Sequence, residues 1–152
     1  MILIRKADAA DAADILRMTA HYTSDEEQVA GLIDKFMVCE VSGAVCGCGC
    51  SVIHEDKCLI NWVYVDKAFR NNSCGYAIVK ALLNIADLQG IQKVYAAGNC
   101  ERFFTKLGFK ALEERSEELA AAFTELYGES SSEGIYYLSL IDYFNNSCKG
   151  TC

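Results

Sequence analysis

The chain contains no proline. That excludes collagen and a proline-rich linker protein, and with 52% of residues hydrophobic an extended disordered tail is excluded too. Positive charge is scarce: 14 Lys and Arg stand against 21 Asp and Glu, a formal charge of -7. Such a surface repels duplex nucleic acid, and no local basic patch overrides it, so no nucleic-acid partner is expected. Long-range steering favours a cation or an amine instead. Long apolar runs are missing as well. The longest stretches free of Asp, Glu, Lys, Arg and His run from Val41 to Ile53 and from Cys58 to Val65. Both fall short of the roughly 20 residues a membrane helix needs. Met1 to Lys6 is too short for an export signal, and its charges follow the apolar residues. The expectation is a cytoplasmic protein with no membrane partner.

What is present is enough for one domain: 152 residues bury a real core without staples. Cysteine is over-used. Nine is an odd number, so a fully paired set of intramolecular bridges is impossible. Cys46, Cys48 and Cys50 alternate along one expected strand, which predicts that they share a face as reduced packing residues. The cysteines lack the closely spaced ligand pairs of a structural zinc site, so no metal is expected.

Hydropathy patterning orders the chain as β-α-α-β-β-β-α-β-α-β-(α)-β. A short strand over Ile2 to Arg5 precedes a helix over Ala7 to Ala20. Ser24 with Glu27 predicts a capped second helix to about Lys35. Ser42-Gly43 turns a hairpin between Phe36–Glu40 and Ala44–His54, and Cys58 to Val65 follows as a third strand of that group. Ile78, Leu82 and Ile85 give one long helix from near Ser73 to Leu88, closed by Gly90. Gln92 to Ala97 is a strand, Cys100 to Leu107 a short helix and Phe109 to Leu112 a strand. Ser116 opens a helix to Tyr127, and Ile135 to Ile141 closes the sheet. Residues from about 142 to 152 form a polar C-terminal tail whose Tyr143 and Phe144 either pair across a homodimer or cover the core.

The most informative passage is the junction from Val63 to Ala77. A strand ends, a polar loop carries Arg70, and a long helix begins at Ser73 to Gly75. Several backbone N–H groups there have no partner within the helix, and the helix dipole adds partial positive charge. Phosphate is stabilised at such a place. The bland alternative is a loop whose Ser73 only caps its helix. The loop is neither a nucleoside-triphosphate loop nor a dinucleotide fingerprint, since Gly-Lys-Thr/Ser and Gly-x-Gly-x-x-Gly are both absent.

Arg70-x-x-Ser73-x-Gly75 resembles the Arg/Gln-x-x-Gly-x-Gly/Ala pyrophosphate loop of the GCN5-related N-acetyltransferase (GNAT) superfamily, after a strand ending Val-Tyr-Val-Asp. Cys100-Glu-Arg-Phe-Phe-Thr-Lys-Leu-Gly-Phe109 resembles a second family segment at the expected distance. The resemblance implies an α/β (α+β) fold in a single domain, with a mixed, mostly antiparallel central sheet flanked by helices. It also implies acetyl-CoA as cosubstrate and the amine of a small molecule or peptide as acceptor.

On that resemblance, backbone amides from Arg70 through Asn71, Asn72, Ser73 and Cys74 to Gly75 hold the CoA pyrophosphate. Val63 and Val65 offer main-chain groups to the pantetheine arm, and Phe103 packs beside it. Ser73 replaces a loop glycine, which is tolerable if its backbone stays helical and its hydroxyl finds a partner. Many relatives carry a glutamate base on the fourth strand, where this chain has Asn61. Phe104 replaces a proton-donating tyrosine, a role open to Tyr64, Tyr76, Tyr95 or Tyr127. Asn61 can hold a water or the substrate but cannot itself be the base, and Glu40 and His54, which end strands, are the candidates for that role. His21 closes the first helix in a region that walls the acceptor pocket. The acidic residues from Glu113 to Glu133 are a solvated face or an attractor for a basic acceptor. A catalytically inactive acyl-CoA-binding or structural module on the same fold is the competing account.

Overall fold

The computed structural model describes residues 1–70, 73–114, 116–128 and 134–150, the last five by backbone alone. Seven strands, β1 (Ile2–Lys6), β2 (Phe36–Val41), β3 (Ala44–His54), β4 (Lys57–Val65), β5 (Lys93–Gly98), β6 (Lys110–Ala111) and β7 (Gly134–Ser139), form one sheet in the order β1-β2-β3-β4-β5-β7-β6. Every pairing is antiparallel except that of β4 with β5. The helices are α1 (Ala12–Thr19), α2 (Glu26–Ala30), α3 (Cys74–Leu88), α4 (Glu101–Lys106), α5 (Glu117–Tyr127) and α6 (Leu140–Gly150).

The sheet separates two apolar cores. One lies under α3, with Ile78, Val79, Leu82 and Leu83 packed on Ile60 and Val94, and Phe104 and Leu140 at its margin. The other lies under α1, α2 and α5, with Ile15, Met18, Val29 and Phe123 around Val38, Leu59 and Trp62. Gly47 and Gly49 let α3 approach: a Cβ on Gly49 would stand 2.7 Å from the Ile78 side chain. Most expected elements are present, and the differences have local causes. Asp25, not Ser24, caps α2 by accepting from the Gln28 N–H at 3.1 Å. That helix stops at Gly31, well before Lys35. Residues 140–150 are helical where a polar tail was expected, because Leu140, Tyr143 and Phe144 make an apolar stripe at helical spacing against the α3 core. Tyr143 and Phe144 pack against the α3 core.

The shared face expected for Cys46, Cys48 and Cys50 is not found. The β2–β3 register shifts between Cys39, opposite Gly47, and Glu40, opposite Val45. Cys46 is therefore the extra residue of a bulge, and its side chain enters the α3 core while Cys48 and Cys50 face the other. All six cysteines from Cys39 to Cys74 are buried and unbridged, and Cys100 is exposed and free. Cys148 and Cys152 lie outside the described side chains.

Candidate functional site

The site begins with a defect in β4. Cys48 is opposite Tyr64 and Cys50 opposite Asn61, so Trp62 and Val63 together face Gly49. Trp62 takes a left-handed backbone, φ +56°, a conformation that costs a non-glycine residue about 1–2 kcal/mol. Three contacts hold it there. Its indole stacks at 6.1 Å on Phe36 and meets Tyr127 edge-on at 4.9 Å, and its N–H donates to Asn61 Oδ1 at 2.7 Å. The bulge bends the strand away from its neighbour. β4 and β5 pair only from Lys57–Lys93 to Ile60–Ala96, and beyond that point they part.

The parting opens a cleft of about 580 Å³, lined by Asn61 to Val65, Ala97 to Cys100, Gly75, Phe103 and Phe104, with His21 and Tyr22 above. The carbonyls of Val63 and Val65 each accept from a side chain that also lines the cleft. Tyr22 Oη–H donates to the first at 2.7 Å, and Arg70 Nε–H to the second at 2.9 Å. The Arg70 guanidinium also lies 5.4 Å from the centre of the Tyr64 ring, on which His21 stacks at 4.4 Å and which Tyr22 meets edge-on at 6.1 Å.

The N-terminus of α3 closes one end of the cleft. Ser73 precedes the helix with φ +63°, and its side chain makes no cap hydrogen bond. The backbone of Ser73 is left-handed where a helical one was expected, and among the described residues its hydroxyl has no hydrogen-bond partner. The left-handed turn explains why glycine suits this position better. Gly75 sits one residue into the helix, and a Cβ there would stand 2.9 Å from Phe103 Cε1. Phe103 stacks on Tyr76 at 5.0 Å and meets Phe104 edge-on at 5.1 Å. Cys74 is fully buried behind the turn, away from the cleft. Asn71 and Asn72, the other expected phosphate-loop residues, lie outside the described residues.

The structure gathers Asn61, Val63, Val65, Arg70, Ser73, Gly75 and Phe103 around one cleft. It does not bring Glu40 or His54 there. Glu40 accepts two bonds from Arg5, at 2.6 and 2.8 Å, in an ion-paired cluster with Asp11 that ties β1 and β2 to the turn before α1. Arg5 in turn holds the Asp11 carboxyl below the usual carboxylate range. His54 pairs with Lys57 at the opposite end of β4 from Val63, roughly 20 Å along the strand at about 3.3 Å per residue. Of the four tyrosines considered, Tyr64 and Tyr76 line the cleft. Tyr127 is buried with its hydroxyl donating to the Leu59 carbonyl, and burial pushes its pKa well up.

Asn61 is 3% exposed. Its amide orientation is fixed because Oδ1 accepts from Trp62 N, and no described residue accepts from its Nδ2. A buried donor left open beside a cleft is a ligand-binding feature. The resemblance implies a pocket wall at His21, and the structure sets His21 and Tyr22 above the cleft; their contacts with Tyr64 depend on the tertiary fold, which carries the end of α1 over β4. Among the described lining residues, His21 is the one imidazole and no carboxylate is present.

A second hollow of about 900 Å³ shares Ser73 and Tyr76 with the cleft and carries Lys80, Lys106 and Lys110 on its walls. The turn at Ser73 thus borders both the cleft and this lysine-bearing hollow, which Asp142 also lines. Residues 33–111, just over half of the chain, match the model of the acetyltransferase (GNAT) domain. The chain belongs to the GNAT acetyltransferase family.

Solved GNAT-fold structures resemble it over nearly its full length. A Mycobacterium tuberculosis protein in complex with CoA is 23% identical, with a TM-score of 0.76 over 90% of this chain and 98% of that one. The PaiA N-acetyltransferase of Thermoplasma acidophilum, also in complex with CoA, is 15% identical, with a TM-score of 0.69 over 91% and 99%. N-acetylglutamate synthase from Neisseria gonorrhoeae, complexed with CoA and L-arginine, is 18% identical, with a TM-score of 0.74. The match covers 91% of this GNAT chain but 33% of the synthase, so the chain corresponds to about a third of that enzyme. At these identities the likeness is one of fold.

Proposed function

We propose that this GNAT chain is an acetyl-CoA-dependent N-acetyltransferase, which moves the acetyl group directly to the amine of a small molecule or peptide in a ternary complex. The observation that carries the reading is the β4–β5 parting, which opens onto Gly75 and the first turn of α3. Backbone amides from Arg70 through Asn71, Asn72, Ser73 and Cys74 to Gly75 hold the pyrophosphate. The basin of Lys80, Lys106 and Lys110 suits the phosphorylated adenosine end of the cosubstrate. The pantetheine arm runs along Val63 and Val65 and packs on Phe103. A main-chain N–H of this segment polarises the acetyl carbonyl as charge develops on its oxygen.

The acceptor enters on the side of His21 and Tyr22. Aminolysis of a thioester needs a neutral amine, so a base must take the ammonium proton directly or through a water. His21 fills that role, and the open Nδ2 of Asn61 positions the acceptor or the relaying water. Tyr64 or Tyr76 protonates the departing thiolate, in place of the tyrosine that Phe104 replaces. Cys74 is not a nucleophile in this scheme, since it is sealed in the core. Six buried, unbridged cysteines suit the reducing cytoplasm. No helix among the described residues is long and apolar enough to cross a membrane.

One observation favours the competing account of an acyl-CoA-binding module without turnover: no carboxylate lines the described cleft. A panel of amino acids, polyamines and peptides with free N-terminal or lysine amines separates the two. Incubated with acetyl-CoA and read by mass spectrometry, at least one acceptor is expected to gain one acetyl group as one CoA is released. Acetyl-CoA binding with no acetylated product across the panel is the result the inactive module predicts.

A further inference from the structure

Three cysteines that the transferase reading leaves unused converge in the α3 core. Cys39 comes from β2, Cys46 from the β3 bulge and Cys74 from the first position of α3, and their three sulfurs all lie within 4.8 Å of one another. Cys39 and Cys46 Sγ are 3.9 Å apart, and the Cys46 thiol also points at the Cys39 carbonyl at 3.5 Å. All three are buried, among Met37, Ile60 and Ile78. An ion at the centre of a planar sulfur triangle, with metal–thiolate bonds of about 2.3 Å, needs sulfurs about 4.0 Å apart. The observed triangle is close to that before any ion enters.

We propose that Cys39, Cys46 and Cys74 form a three-coordinate thiolate site for copper(I). The donor set argues for this ion over others. Three soft thiolates select copper(I), zinc or an iron–sulfur cluster, but zinc held by three protein ligands completes its tetrahedron with water, which these buried sulfurs do not meet, and the clusters take four cysteines. Among the described residues no fourth cysteine, histidine or carboxylate joins the group. Cys74 opens a 15-residue helix, whose dipole stabilises negative charge left on the sulfurs. The expectation of no metal rested on sequence spacing, which cannot reveal a triangle drawn from three elements and one bulge.

Loading breaks three S–H bonds, forms three Cu–S bonds and releases three protons to solvent, with no change in the oxidation state of copper or sulfur. Because the sulfurs are sealed from solvent, copper enters readily during folding and slowly afterwards.

The test uses the full chain with Cys100, Cys148 and Cys152 changed to serine, which removes the exposed cysteine and those of the C-terminal segment. The protein is refolded without oxygen with copper(I) supplied by a coloured competing chelator, then desalted. One copper per chain is expected, with a near-ultraviolet sulfur-to-copper charge-transfer band. X-ray absorption is expected to give three sulfurs at about 2.3 Å. Cys46→Ala is expected to lose at least about tenfold in copper affinity, while Cys50→Ala, on the other face of the sheet, retains it. If Cys46→Ala does not fold, Cys39→Val in the same background serves. No retained copper, copper held equally by the Cys46 or Cys39 variant, or a two-sulfur shell in the parent protein would each overturn the proposal.

Discussion

Exchanging Gly75 for valine is expected to weaken acetyl-CoA binding by about 10- to 100-fold, in line with an overpacking cost of about 1–3 kcal/mol. The cause is the 2.9 Å gap between a Cβ at this position and Phe103 Cε1, with Cζ only 3.3 Å away. Phe103 has no easy retreat. It is stacked on Tyr76 and set against Phe104, which stacks on Tyr136 at 4.7 Å and presses on Gly98, where a Cβ would meet it at 2.7 Å. The added branches therefore drive Phe103 into the cleft or push the first turn of α3 off the phosphate position. Trimming the obstacle tests the cause. In Gly75→Val with Phe103→Leu, part of the affinity is expected to return, a coupling that two independent losses would not show. Unchanged affinity in the single variant would mean that this turn does not carry the pyrophosphate.

Replacing His21 with glutamine is expected to lower kcat by about 100-fold or more, within the range general-base groups contribute. Glutamine keeps a flat polar group against Tyr64 but cannot accept the ammonium proton. The affinity for acetyl-CoA, governed by Val63 to Gly75, is expected to stay within about twofold. A variant that keeps its rate would remove His21 from the chemistry and leave Asn61 and bound water to account for proton removal.

Local rules carried much of this fold. Ile78, Leu82 and Ile85 announce α3, Ser116 caps α5 by accepting from the Leu119 N–H at 3.0 Å, and Ser42-Gly43 turns the β2–β3 hairpin. These depend on neighbours within a turn or two, which a sequence displays. The strand–loop–helix junction from Val63 to Gly75 was legible for the same reason, since its elements are consecutive. The misses are long-range or depend on parity. One extra residue at Cys46 reverses which face its side chain meets, and alternation alone cannot register it. His21 reaches the cleft only because α1 crosses β4, and Glu40 is diverted by Arg5 on a neighbouring strand. His54 shared a strand-end position with plausible bases, but it is the wrong end of the hairpin. The helical conformation of residues 140–150 was hidden by its polar face, although Leu140, Tyr143 and Phe144 already had helical spacing.

The central claim is that the cleft between β4 and α3 binds acetyl-CoA through its pyrophosphate. Calorimetric titration of the reduced, metal-free protein with acetyl-CoA and then with CoA tests it most directly, alongside Arg70→Glu. Micromolar binding of both ligands is predicted, with the charge reversal costing at least about tenfold, since a charge-assisted hydrogen bond is worth about 1.5–3 kcal/mol. No heat and no thermal stabilisation by either ligand would contradict the account: the GNAT fold would stand, but the acetyltransferase function would not.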